Sequence, residues 1–296
     1  MNSSIPRATK NAKAFCIAYL LLVTLSVYAS SATTEITSVT DEDQYRQFCS
    51  VAASSPEIFS IFRCSNVCRR VIDTVSQKEG QECLAIIKRQ SPEFLNIEAF
   101  KRSDKVGNPL TYYYDGIGEF SPTTLRYIKV ASDLMKFFGS LDDCTIVEIG
   151  GGYGGQCKII SDLFKYKQYI IIDLPEPLAL TKRFLEAQGV KNVIYLTPNQ
   201  PIPNQKSDLV ISNYAFSELT EPTRKKYIKD VFRFSTRGYL LCNDSTSMPN
   251  LGHLFAYKKK LINEINSNSI ECDVYAECPL TGPLNYLVVW GHLDNQ

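Results

Sequence analysis

Val147-Glu148-Ile149-Gly150-Gly151-Gly152-Tyr153-Gly154-Gly155 is the stretch that decides how this chain folds. Thr145-Ile146-Val147 reads as a short buried strand, and residues 156–165 carry apolar side chains at helical spacing, so strand, glycine turn and helix follow in order. Glycine lacks a Cβ and tolerates positive φ, so Gly150, Gly152 and Gly154 allow a sharp turn and a close approach to a ligand. Gly150, Gly152 and Gly155 also fit the G-x-G-x-x-G spacing of dinucleotide sites, which keeps a nicotinamide or flavin oxidoreductase open.

Two acids sharpen the reading. Glu148 stands two residues before the first glycine, where a carboxylate repels a diphosphate and attracts a cationic amino-acid group. S-adenosylmethionine carries such a group and no phosphate. Tyr169-Ile170-Ile171-Ile172-Asp173 predicts a second strand ending in an acid placed to accept ribose hydroxyls, a feature NAD would share.

Outward from this stretch, strands and helices alternate from residue 141 onward. Residues 207–212 and 239–242 predict strands, and 221–234 a helix with Pro222 near its start. Residues 271–276 and 285–290 predict a closing antiparallel pair, separated by Pro279, Gly282 and Pro283. The expected fold is α/β and Rossmann-like, a mostly parallel sheet covered on both faces that ends in an antiparallel pair. Such an ending suits a methyltransferase sheet better than a dehydrogenase one. Four segments follow: a leader (1–32), a helical cysteine-rich segment (33–90), a substrate-side lead-in (91–140) and the cofactor domain (141–296). Within the lead-in, Tyr112-Tyr113-Tyr114 is rich in aromatics and Ser121-Pro122 reads as a helix start.

Gly107-Asn108-Pro109, Ser121-Pro122-Thr123-Thr124-Leu125-Arg126-Tyr127, residues 148–156, Ile172-Asp173-Leu174-Pro175-Glu176 and Ser212-Asn213-Tyr214-Ala215-Phe216-Ser217-Glu218-Leu219 together resemble, in order, the motifs of the sugar O-methyltransferase family. The resemblance covers about residues 101–293. It implies a class I, S-adenosylmethionine-dependent fold and methyl transfer to a carbohydrate hydroxyl. It also implies cofactor contacts from Glu148, Gly150, Gly152, Tyr153, Gly154, Asp173, Leu174 and Asn213, and sugar contacts from Asn108, Tyr113, Ser121, Arg126 and Tyr214. The structural alternative for Ser121 is a helix cap, and for Arg126 an ion pair.

Methyl transfer to a hydroxyl needs in-line geometry and removal of a proton by a base or a metal. Glu218, after the 207–212 strand, is the first candidate base; Asp244, after the next strand, and His253 are the alternatives. Glu218 could equally cap the following helix. Asn243-Asp244-Ser245 is an N-glycosylation sequon, expected to stay unused if Asp244 faces the site.

Composition bounds the remaining possibilities. A chain of 296 residues, 44% hydrophobic and of net charge +1, can bury a large core and lacks the basic excess of a dedicated nucleic-acid binder. Residues 1–13 carry Arg7, Lys10 and Lys13 with no acid, and an apolar run spans 14–29, which predicts a secretory leader, cleaved or retained as a type II anchor. Either outcome exports the catalytic domain to the secretory lumen or beyond, with membrane contact only through an uncleaved leader. Cys49, Cys64, Cys68 and Cys83 are spaced symmetrically, and disulfides are the expected use; zinc lacks paired C-x-x-C knuckles and a nearby histidine. No metal is expected. Cys272 and Cys278 suggest a further bridge, whereas Cys144, Cys157 and Cys242 fall on core elements as buried thiols. A secreted binding module that keeps the fold without catalysis is the remaining alternative.

Overall fold

The structure is a computed structural model that describes residues 43–203, 206–244 and 258–293. The leader, His253 and Ser245 lie outside the described residues, and no described helix is long and apolar enough to cross a membrane.

Local signals set the first helices. They are α1 (Asp43–Ser54), α2 (Pro56–Ile61), α3 (Asn66–Val71), α4 (Gln77–Gln90) and α5 (Ala99–Ser103). Ser55 and Ser65 cap α2 and α3 by accepting the N–H of Ile58 and Cys68, and Ser76 with Glu79 forms a full capping box on α4. A hairpin of β1 (Tyr112–Tyr114) and β2 (Gly118–Phe120) leads into α6 (Pro122–Phe138), which has Pro122 in its first turn and is buried along most of its length.

The alternating part then runs β3 (Thr145–Ile149), α7 (Gly155–Leu163), β4 (Gln168–Ile172), α8 (Pro175–Ala187), β5 (Val193–Leu196), β6 (Ser207–Asn213), α9 (Ala215–Glu218), α10 (Glu221–Asp230), β7 (Ser235–Cys242), α11 (Lys258–Asn266), β8 (Asp273–Ala276) and β9 (Tyr286–Trp290). These strands form one seven-stranded sheet in the order β5-β4-β3-β6-β7-β9-β8. Pairing is parallel from β5 to β7 and antiparallel where β9 inserts between β7 and β8. The expected mostly parallel sheet with an antiparallel ending is therefore present.

Strand alternation divides the core between the two faces. Ile146, Tyr169, Ile171, Leu209 and Ile211 face a core shared with α1, α4, α6, α7 and α8, while Val147, Ile149, Ile170, Ile172 and Val210 face α10 and α11. Full burial of each such aliphatic side chain contributes about 1.5–3 kcal/mol.

Helices fill the 43–90 segment, as expected, but disulfides do not staple it. No disulfide joins two cysteines among the described residues, and Cys49, Cys68 and Cys83 carry free thiols. Cys49, Cys68 and Cys83 are fully buried and serve as small apolar side chains in the core shared with the sheet. They also lie in different surroundings: Cys83 feels Lys129 and Arg126 of α6, whereas Cys68 feels Asp73, Arg63 and Cys49. Burial pushes the thiols of Cys49 and Cys83 up to about 12, which suppresses the reactive thiolate. Cys272 bonds Asn266 Oδ1 at 3.1 Å and Cys278 is exposed, so this pair is not bridged either.

The segment is fastened to α6 and α8, which pack on the sheet, by arginine side chains. Arg46 forks onto Glu176 of α8 at 2.8 and 3.1 Å. Arg183 of α8 donates to the carbonyls of Ala52, Ala53 and Ser55 at the end of α1, where a cation also suits the helix dipole. Arg63 is fully buried and bonds Asp73, Asp104 and Ser121.

Candidate active site

In an open parallel sheet, ligands bind beyond the carboxyl ends of the strands. Here that edge gathers the glycine turn after β3, Asp173 after β4, Asn213 and Tyr214 at the end of β6, and Asn243 and Asp244 after β7.

The glycine turn is dictated by close packing. Gly150 has φ +76°, and a Cβ there would overlap the Ala215 methyl; a Cβ on Gly155 would run into the Tyr127 ring. Gly154, at φ +93°, starts α7. At Gly152 a Cβ would stand 3.5 Å from Ile72, so the residue after α3 lies directly on the turn.

Asp173 is drawn into the same turn. Its carboxylate accepts the N–H of Leu174 at 2.8 Å, and burial pushes its pKa up to about 6 against the lowering by the backbone of Leu174, Gly152 and Gly151. Leu174 itself is the residue before α8 and contributes its backbone N–H.

Glu148 does not reach the ligand edge. It shares strand parity with Ile146, is 2% exposed, and accepts the Tyr169 hydroxyl at 2.8 Å inside the core. Burial pushes its pKa up to about 8, so at neutral pH it is mostly a neutral acid. The attraction for a cationic cofactor group expected of Glu148 has no carboxylate there to supply it. Tyr153 is also set back, fully buried among Phe62, Tyr127 and Phe184 with the Arg63 guanidinium over its ring.

On the other side of β3, Asn213 continues the parity of Leu209 and Ile211 toward α7. Its Nδ2 donates to Gln156 Oε1 at 3.3 Å, and Gln156 Nε2 donates to the Tyr127 carbonyl. Tyr214 follows with φ +72°, an outlier for an aromatic residue. Its hydroxyl donates to Glu277 and lies 3.1 Å from Thr281 Oγ1, and the Arg126 guanidinium stands 5.4 Å from its ring centroid. Burial raises the Tyr214 phenol above its ordinary range. Arg126 is 8% exposed and donates to the Ile72 carbonyl.

Glu218 and Asp244 are brought to this edge from different strands. Asn243 ties the two exits together: its Nδ2 donates to Glu218 Oε1 at 2.7 Å and its N–H to Ser217 Oγ at 3.0 Å. Asp244, next in the chain, is buried. The amide that a sequon glycan would occupy is thus already held by Glu218.

The remaining sugar-contact candidates are not gathered here. Asn108 and Tyr113 are exposed, Tyr113 at 69%, and Ser121 accepts from Arg63 at 3.1 Å. Ser121 does line a cleft of about 550 Å³, with Asn66, Arg69, Asp73, Gln77 and Tyr112, one residue along the chain from Ile72. Three polar residues of the edge escaped sequence reading as site residues: Gln156, Asn243 and Glu277. Gln156 directly follows the last glycine of the turn, which was a usable signal. Glu277 had none, because its contact with Tyr214 spans 63 positions of sequence.

No family model matches the chain, and no curated protein matches it. Among solved structures it is similar to a SAM dependent methyltransferase from Aquifex aeolicus, at 17% identity and a TM-score of 0.44 over 70% of this chain and 97% of that one. It is also similar to an O-methyltransferase family protein from Burkholderia thailandensis, at 13% identity and a TM-score of 0.40 over 49% of this chain. The chain spans about half, 50%, of the length of that protein. The N-methyltransferase NodS from Bradyrhizobium japonicum aligns at 12% identity and a TM-score of 0.43, over 56% of this chain and 93% of that one. Identities of this size leave the chemistry to be read from the residues at the sheet edge.

Proposed function

We propose that the protein is an S-adenosylmethionine-dependent O-methyltransferase whose acceptor is a hydroxyl of a sugar or glycan. The observation that carries the reading is the placement of an acid and an amide on either side of one glycine turn: Asp173 after β4 and Asn213 at the end of β6, with β3 between them. Neighbouring strands are about 4.8 Å apart, so the two lie about 10 Å from each other, a span that suits an extended adenosyl amino acid. In this reading Asp173 accepts ribose hydroxyls, and the cofactor, when bound, supplies an electrophilic methyl on a sulfonium.

Glu218 is the base of choice. Glu218, oriented by Asn243, would take the proton of the acceptor hydroxyl, and the bound cofactor would supply the methyl, its carbon–sulfur bond breaking to leave the neutral thioether. Carbohydrate as the acceptor class rests on the motif resemblance. A place in the secretory pathway rests on the leader alone.

Calorimetric titration of the full-length chain tests the reading. S-adenosylmethionine should bind saturably and NAD should not, and Asp173→Ala should weaken the former at least 10-fold, about 1.4 kcal/mol. Folded protein that binds neither would end the methyltransferase reading; saturation by NAD alone would favour the oxidoreductase.

A further inference from the structure

Five cationic side chains are buried among the described residues: Arg63, Arg126, Lys129, Lys158 and Arg224. Four of them have an acid against them. Arg63 pairs with Asp73 and Asp104, Lys129 with Asp133, Lys158 with Asp162, and Arg224 with Glu264. Arg126 is the exception. Its Nη2 donates to the Ile72 carbonyl at 3.2 Å and its guanidinium faces the rings of Tyr127 and Tyr214, but no carboxylate among the described residues pairs with it, and its buried Nε has no hydrogen-bond partner. A charge taken out of water without a counter-ion is strongly disfavoured, so such a site calls for an anion. Glu277, the acid that Tyr214 contacts, is occupied by the Tyr214 hydroxyl and by the N–H and hydroxyl of Thr281.

A second orphan lies in the same ring of contacts. Arg126 stacks near Tyr214, Tyr214 follows Asn213, Asn213 bonds Gln156, and Gln156 bonds the carbonyl of Tyr127, which follows Arg126. Asn213 Oδ1 is buried in that ring and has no donor. One unmatched cationic donor and one unmatched acceptor thus belong to one ring of contacts that includes Gln156, the residue after the glycine turn, and they complement a zwitterion.

We propose that Arg126 and Asn213 form the seat of an α-amino acid group, Arg126 Nε binding the carboxylate and Asn213 Oδ1 the ammonium of the cofactor's methionine end. This rests on the methyltransferase reading and goes beyond it, moving Arg126 from the acceptor to the carboxylate of the cofactor.

The test is calorimetry on the full-length chain with three probes: S-adenosylhomocysteine, its decarboxylated analogue, which keeps the amine, and 5′-deoxy-5′-methylthioadenosine, which lacks the whole amino acid group. Wild type should bind S-adenosylhomocysteine about 10- to 100-fold more tightly than the decarboxylated analogue, the range of a charge-assisted pair. Arg126→Gln should bind those two equally while holding methylthioadenosine as wild type does, which also shows that the variant is folded; Arg126→Lys should recover part of the difference. Wild type that does not distinguish S-adenosylhomocysteine from its decarboxylated analogue overturns the proposal whatever the variants do, and so does Arg126→Gln that keeps full preference for the carboxylate. Wild type that binds none of the three removes the methyltransferase reading, a separate failure.

Discussion

At the scale of single residues, Glu148 and Asp173 are carboxyls whose pKa burial raises, to about 8 and about 6. In the unfolded chain both ionise at ordinary carboxylate values. The stability each brings is fully present below the unfolded pKa and is lost as pH rises through the folded one. For Glu148 the window is about pH 4.5 to 8, and the loss across it amounts to up to about 5 kcal/mol. Glu148→Gln keeps an oxygen for the Tyr169 hydroxyl and removes the titration. Its melting temperature should therefore fall less than that of wild type between pH 5 and 8, as measured by thermal unfolding at several pH values; parallel profiles would clear Glu148 of that role. Sequence located this acid correctly beside the glycines and still misread what it faces. Position along a strand was visible, but the side chain's direction follows from parity, and Glu148 shares the parity of buried Ile146.

At the scale of elements, the knot around Arg63 joins the 3-10 turn before α3 to the start of α6. Asp104 alone accepts from Arg63 Nη1, the Ser121 N–H and the Thr124 hydroxyl. Removing the guanidinium strands two buried acids, so Arg63→Ala should cost about 3–5 kcal/mol in urea unfolding. Arg69→Ala, on an exposed side chain nearby, should stay within about 0.5 kcal/mol. Equal effects would mean that the knot is not what holds these elements together. The strands with strong apolar runs, β3, β4, β6, β7 and β9, were legible because burial on both faces writes itself into consecutive residues. β5 was not, since Val193-Ile194-Tyr195 is only partly buried at the sheet margin. The predicted helix 221–234 breaks near Val231, where the chain tightens into a 3-10 turn at Phe232–Phe234.

At the scale of the whole molecule, residues 33–90 read as a stapled module because symmetric cysteine spacing is visible in sequence while the surface that buries Cys49, Cys68 and Cys83 is not. α1 packs on α8, α4 on α6, and both pairs belong to the core on one face of the sheet. A chain begun at Ser91 would expose those faces of α6 and α8. It should lose cooperative unfolding in calorimetry and the ability to bind S-adenosylhomocysteine; retention of both would make the segment a separable addition.

The contact of Ile72 with the glycine turn bears on how a ligand of that turn would come and go. Ile72 lies against Gly152 while its carbonyl takes a hydrogen bond from Arg126, and α1 is tied down through Arg46 and Arg183. On the proposed reading a cofactor at the glycine turn would lie against Ile72 and the helices tied down with it, so salt that loosens the Arg46–Glu176 fork should speed exchange of bound S-adenosylhomocysteine, read by stopped-flow displacement; an exchange rate that salt leaves unchanged would release α1 from that part.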